Sequence, residues 1–98
     1  MIRRKNLKKY EVLFILDPRE DAEGLKGYIK DLFKEFGGEV VEEKEMGLRR
    51  LAYPIQKRDK GFYYLLNTKL ETTKHDQIKR ELNLKEPIMR YMFIALEK

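Results

Sequence analysis

Tyr10-Glu11-Val12-Leu13-Phe14-Ile15-Leu16-Asp17-Pro18 is a short run of apolar and β-favouring residues cut off by Asp-Pro, the pattern of a largely buried strand. The period then changes. Across residues 21–36, Leu25, Ile29, Leu32, Phe33 and Phe36 recur at spacings of three and four, so they form one stripe of an α-helix. Gly37-Gly38 stops that helix. Its start has two readings: Asp17, with Pro18 at the first position and Glu20 closing a capping box, or Asp21 one turn later.

Working outward, the segment from Val40 to about Leu51 carries Glu42, Glu43, Lys44 and Glu45 in its middle. That mixture suits a half-exposed edge strand whose charges are solvated and deter pairing with other chains. Residues 48–60 read as a long, charged turn containing Pro54. Gly61-Phe62-Tyr63-Tyr64-Leu65-Leu66-Asn67-Thr68-Lys69-Leu70 is aromatic and apolar enough for a central strand, paired as a hairpin with the one before it. Thr73, with Asp76 three residues on, is expected to cap a second helix in which His75, Ile78 and Leu82 share a side. Asn83 and Pro87 end it, and residues 88–96 form a fourth strand. The order β-α-β-β-α-β predicts an α+β, ferredoxin-like domain, a four-stranded antiparallel sheet with two helices on one face. It occupies residues 9–98, behind a basic extension at 1–8.

In 98 residues, 42% are apolar and 40% charged, enough for one core beneath a highly charged surface. The net charge of +5 favours a polyanionic partner. With no Cys, no Ser and the single His75, the chain lacks the parts for thiolate metal sites, disulfides and nucleophile–histidine catalysis. Consecutive residues of a strand face opposite ways, so Glu42, Glu43 and Glu45 do not converge on a cation. Neither phosphate-loop nor dinucleotide fingerprint occurs. An acylphosphatase-type site on this fold would need a glycine-rich, arginine-bearing loop where Asp17-Pro18 stands. No catalytic residue, metal or cofactor is therefore expected. No apolar run approaches the ~18 residues of a membrane span, and no signal-peptide pattern is present, so a cytosolic location and no membrane partner are expected.

Lys and Arg cluster twice: Arg3, Arg4, Lys5, Lys8 and Lys9 at the N-terminus, and Arg49, Arg50, Lys57, Arg58 and Lys60 around the hairpin connection. On a tail and a loop such side chains can reach along a phosphate backbone, and Arg can fork onto its oxygens. Arg80 and Arg90 are added as RNA-binding candidates. Lys60-Gly61-Phe62-Tyr63-Tyr64-Leu65 also resembles the third-strand motif of RNA-recognition-motif domains, whose aromatics stack on bases from the open sheet face. Here Phe62, Tyr64, Leu66 and Leu70 share a face whose apolar depth suits the helix-covered core instead.

Gly47-Leu48-Arg49-Arg50-Leu51-Ala52-Tyr53-Pro54-Ile55, followed by Lys57 and Gly61-Phe62-Tyr63, resembles the signature of the bacterial small-subunit ribosomal protein S-six family. Lys9-Tyr10-Glu11-Val12 and Ile15-Leu16-Asp17-Pro18 resemble its opening. The resemblance implies a non-enzymatic constituent of the small ribosomal subunit. Such a protein binds the central domain of small-subunit rRNA as a heterodimer with ribosomal protein eighteen of the small subunit. By the same resemblance Arg49, Arg50 and Lys57 would touch RNA, while Leu48, Leu51, Ala52, Tyr53 and Ile55 would lie at the partner-protein interface. The free-standing RNA-recognition module or translational regulator is the alternative.

Overall fold

Alternation along β1, Lys8–Leu16, sends Tyr10, Val12, Phe14 and Leu16 into the core and leaves Leu13 and Ile15 on the other face. The computed structural model describes residues 7–55 and 57–96. After β1 come α1, Ala22–Glu35; β2, Glu39–Ile55; β3, Arg58–Leu70; a 3₁₀ turn, Thr72–Lys74; α2, His75–Leu84; and β4, Ile88–Ala95. All strand pairs are antiparallel, in the order β2-β3-β1-β4. The split βαβ arrangement expected from the sequence is the observed one.

Of the two possible helix starts, Asp21 is used: its side chain accepts from the Glu23 N–H at 3.2 Å. The chain leaves α1 through Gly37, at φ 81°, and the Gly38 N–H donates to the Phe33 carbonyl at 2.8 Å. A Cβ on Gly38 would sit 3.0 Å from two carbonyl oxygens, those of Lys69 and Phe33, so the strand that follows can pass this close only without a side chain. The expected Thr73 cap does not form. A 3₁₀ turn precedes α2, whose N-cap is Lys74 with no side-chain cap bond, and the Thr73 hydroxyl donates to Glu71 at 3.0 Å. Tertiary packing starts that helix: Ile78 and Leu82 are buried, and the His75 ring stacks on Tyr10 at 5.0 Å and meets Phe93 edge-on at 4.4 Å.

The main departure from expectation is the hairpin. The supposed long turn at 48–60 is instead a continuation of both strands, with β2 running to Ile55 and β3 starting at Arg58. The register slips between Val40 and Glu42, between Glu45 and Gly47, and between Arg50 and Ile55. At the second slip Gly47 takes φ 88°, the left-handed conformation of a glycine bulge. Pro54 lies within the third, where the ladder with β3 is interrupted, so its missing N–H forfeits no rung. These bulges twist the distal ribbon, residues 47–61, into an arm at the edge of the sheet.

Two cores result. The larger lies between sheet and helices and includes Phe14, Ile29, Phe33, Tyr64, Leu66 and Ile78. The smaller lies on the opposite sheet face, where Leu51 and Ile55 of the distal ribbon pack with Met89, Ile15 and Tyr63. A Cβ on Gly61 would fall 2.4 Å from Ile15 Cγ2, so glycine is what lets β3 close over this second core.

Candidate nucleic-acid interface

β2 supplies Arg49 and Arg50 opposite Gly61 and Lys60 of β3. Both are exposed. Arg49 Nε donates to the Met46 carbonyl at 3.3 Å, which leaves the rest of its guanidinium outward. Arg50 approaches Asp59 only at 4.0 Å, with both side chains about three-quarters solvent-exposed, a pair of negligible strength. Lys57 stands in the turn at φ 65° and is exposed, as is Lys60. The arm is thus a ribbon with cations on both faces, weakly committed to the protein itself.

Two acidic residues of the same strand, Glu43 and Glu45, are turned away from it toward α1, while Glu42 is exposed beside Asn67. Glu43 pairs with Lys30 at 3.0 Å and accepts the Tyr64 hydroxyl at 2.6 Å. Glu45 pairs with Lys26, which also holds Glu23 at 2.8 Å and whose side chain is only 5% exposed. The stretch is exposed, as expected of a solvated edge; beyond that expectation, Glu43 and Glu45 face α1 and pair with its lysines. The Tyr64 hydroxyl, ahead of Lys30, holds the Glu43 carboxyl below its usual range, and burial, followed by Glu43, raises Tyr64. The proximal half of β2 is neutral toward the helices and the distal half basic toward solvent.

The other expected RNA contacts do not all join this surface. Arg58 is drawn in, its side chain 26% exposed and its Nε 3.5 Å from the buried Asp17 carboxylate. Arg90, on β4 beside Ile15, is exposed on the open sheet face and borders the arm. Arg80 is exposed on α2, on the helix-covered side and apart from the arm. Arg3 and Arg4 lie outside the described residues.

The expected partner-interface residues also divide. Leu51, at 7% exposure, and Ile55, at 9%, belong to the second core. Leu48, Ala52 and Tyr53 are exposed, Tyr53 by 62%. Around Tyr53 a shallow cavity of about 130 Å³ is lined by Ile15, Leu51, Ile55, Tyr63 and Arg90. Phe62 and Tyr64 face the helices, and Tyr64 is fully buried, so neither offers a ring for base stacking.

The roles of Asp17, Lys26, Lys30 and Glu43 escaped sequence reasoning. The lysines four apart on a helix and the glutamates two apart on a strand were the available signal, because each spacing keeps its pair on one face.

Comparison with known proteins adds to this geometry. The profile of the family described as Ribosomal protein S6 matches residues 9–95. The chain is 37% identical over 95 residues to the small ribosomal subunit protein bS6 of Clostridium novyi, covering 94% of this chain and all of that one. It is 33% identical over 91 residues to bS6 of Fusobacterium nucleatum, covering 90% and 97%. Its fold matches the crystal structure of 30S ribosomal protein S6 from Thermotoga maritima at a TM-score of 0.85 and 22% identity, over 91% of this chain and 87% of that one.

Proposed function

The chain belongs to the ribosomal protein S6 family, and from that premise we propose that its arm binds the central domain of small-subunit rRNA jointly with ribosomal protein eighteen of the small subunit. Membership makes it a non-enzymatic protein of the small ribosomal subunit, acting in translation at the bacterial ribosome. In the same reading, residues 9–98 are one domain and residues 1–8 a basic extension of it.

The observation that carries the proposal is the segregation of charge along β2. Glu43 and Glu45 are tied to Lys30 and Lys26, so no unneutralised carboxylate of theirs opposes phosphate approaching Arg49, Arg50, Lys57 and Lys60. A narrow two-stranded ribbon with outward cations can follow an RNA backbone, reading shape and phosphates rather than bases. The exposed Ala52 and Tyr53, in the wall of the cavity bordered by Arg90, offer the partner protein an apolar seat next to the RNA contacts, and the exposed Leu48, opposite Phe62, extends it round the ribbon's edge. A shared surface lets both proteins' phosphate contacts add while the association entropy is lost once. The burial of Tyr64 disfavours the free-standing RNA-recognition module.

The test is the salt dependence of binding to a central-domain fragment with the partner protein present. Arg49→Ala and Arg50→Ala should each weaken binding, and each should reduce the slope of log K against log salt by about 0.7–0.9, one phosphate contact. Unchanged affinity and slope in both variants would remove the arm from the RNA interface.

A further inference from the structure

Arg58 sits at the far end of the arm by sequence, opposite Ile55 across the turn, yet its guanidinium does not point to solvent. It lies back along the ribbon, Nε 3.5 Å from Oδ2 of Asp17 at the end of β1. Asp17 is held in turn: its side chain is 8% exposed, its N–H donates to the Pro87 carbonyl at 2.8 Å, and its Oδ1 accepts the Arg19 N–H at 3.0 Å. Arg19 Nε is 3.5 Å from Oδ1, but that side chain is 65% exposed and contributes little. The cross-strand rungs between Arg50 and Ile55 are broken, so side chains rather than backbone pairing hold the distal ribbon to the sheet: Leu51 and Ile55 in the second core, and Arg58 on Asp17.

We propose that Asp17 is a positioning residue, a buried carboxylate that keeps Arg58 off the RNA phosphates and uses it to fix the angle of the arm presenting Arg49 and Arg50. This deepens the RNA-binding reading of the arm and rests on it. A carboxylate with fixed neighbours can hold a guanidinium in one place, and a charge left buried without its partner is costly, so each side of the pair enforces the other. An arm held in its bound direction gives up less freedom on meeting RNA. The pair also explains an acidic residue at a corner beside a phosphate-binding surface: its charge is met by Arg58 rather than presented to RNA.

The two roles open to Arg58 make opposite predictions. If Arg58 contacted phosphate directly, Asp17→Asn would remove a repelling charge and release the arginine, and binding would tighten or stay equal. If Asp17 positions the arm, Asp17→Asn weakens binding to the central-domain fragment, with the partner protein present, by about 3–10-fold. The salt slope then stays unchanged, because no phosphate contact is lost. Arg58→Gln serves as the second variant should Asp17→Asn fold poorly. It should give the same loss at unchanged slope, and the double variant should be no worse than either single one.

An RNA-independent measurement accompanies these: the rate of tryptic cleavage after Arg49 and Arg50, expected to rise at least about threefold in both variants as the arm loosens. Equal or tighter binding by Asp17→Asn, a slope reduced by about one in Arg58→Gln, or unchanged cleavage overturns the proposal. If Arg49→Ala and Arg50→Ala leave binding intact, the arm's RNA role fails separately, and the cleavage rates alone decide whether the clamp exists.

Discussion

Replacing Tyr64 by Phe tests the electrostatic joint between α1 and the arm-bearing strand. The ring keeps its full burial, and only the hydroxyl, with its 2.6 Å bond to Glu43, is lost. A hydrogen bond to a charged group contributes about 1.5–3 kcal/mol. The Glu43 side chain is 41% exposed and keeps Lys30 at 3.0 Å, so solvent and lysine compensate in part. The expected loss is about 1 kcal/mol at pH 7, or a fall of about 4–8 °C in Tm for a domain of this size. The pH dependence has a defined sign. The Glu43 carboxyl is held below its ordinary value first by Tyr64 and then by Lys30. Its contribution is therefore complete above the unfolded carboxylate pKa and disappears as pH falls through the lowered folded value. Urea unfolding of wild type and Tyr64→Phe at pH 7 and pH 3 should give a difference at pH 7 that shrinks at pH 3. Glu43→Gln in a double-mutant cycle should recover most of it as coupling. A difference below about 0.3 kcal/mol at pH 7, or one equal at both pH values, would refute the reasoning.

Gly61→Ala forces a methyl into the space 2.4 Å from Ile15 Cγ2, so it should cost about 1–3 kcal/mol by overpacking, measured by denaturant unfolding, and accelerate tryptic cleavage in the arm. Burial, followed by Lys79, lowers the His75 pKa. The unfolded chain therefore binds the extra proton first, and stability should fall as pH drops below about 6.5; thermal melts between pH 7.5 and 5 should show a decline that His75→Phe lacks. Phe62→Ala removes a ring packed against the helix-side core and should cost about 2 kcal/mol, less than for a fully buried Phe. Measured under conditions where it stays folded, it should leave RNA affinity within about twofold.

What the sequence made legible follows from where the residues lie. The stripe Leu25, Ile29, Leu32, Phe33 and the alternating set Tyr64, Leu66, Leu70 are readable because each faces one large core, and burial on one side imposes a period on the sequence. The distal hairpin imposes none: it is exposed on much of both faces and carries Pro54 and many charges, so strand and turn look alike there. Its bulges, which admit Gly47 and Pro54, are properties of pairing with β3 rather than of either segment alone. The Thr73 cap failed for the opposite reason, since the packing of His75 and Ile78 decides where α2 begins. Within the site, charge clustering correctly drew attention to Arg49, Arg50 and Lys57. It could not separate them from Arg58, because the carboxylate that captures Arg58 is distant in sequence and meets it only through the β1–β3 pairing.

Joint RNA binding is measured by the mobility shift of a central-domain rRNA fragment at near-physiological salt with this chain alone, with the partner protein alone, and with both. Tight binding only with both proteins, lost in Arg49→Ala/Arg50→Ala, is the predicted result. Equally tight binding by the chain alone, or a shift by the pair that ignores both arginines, would rule out shared binding through the arm.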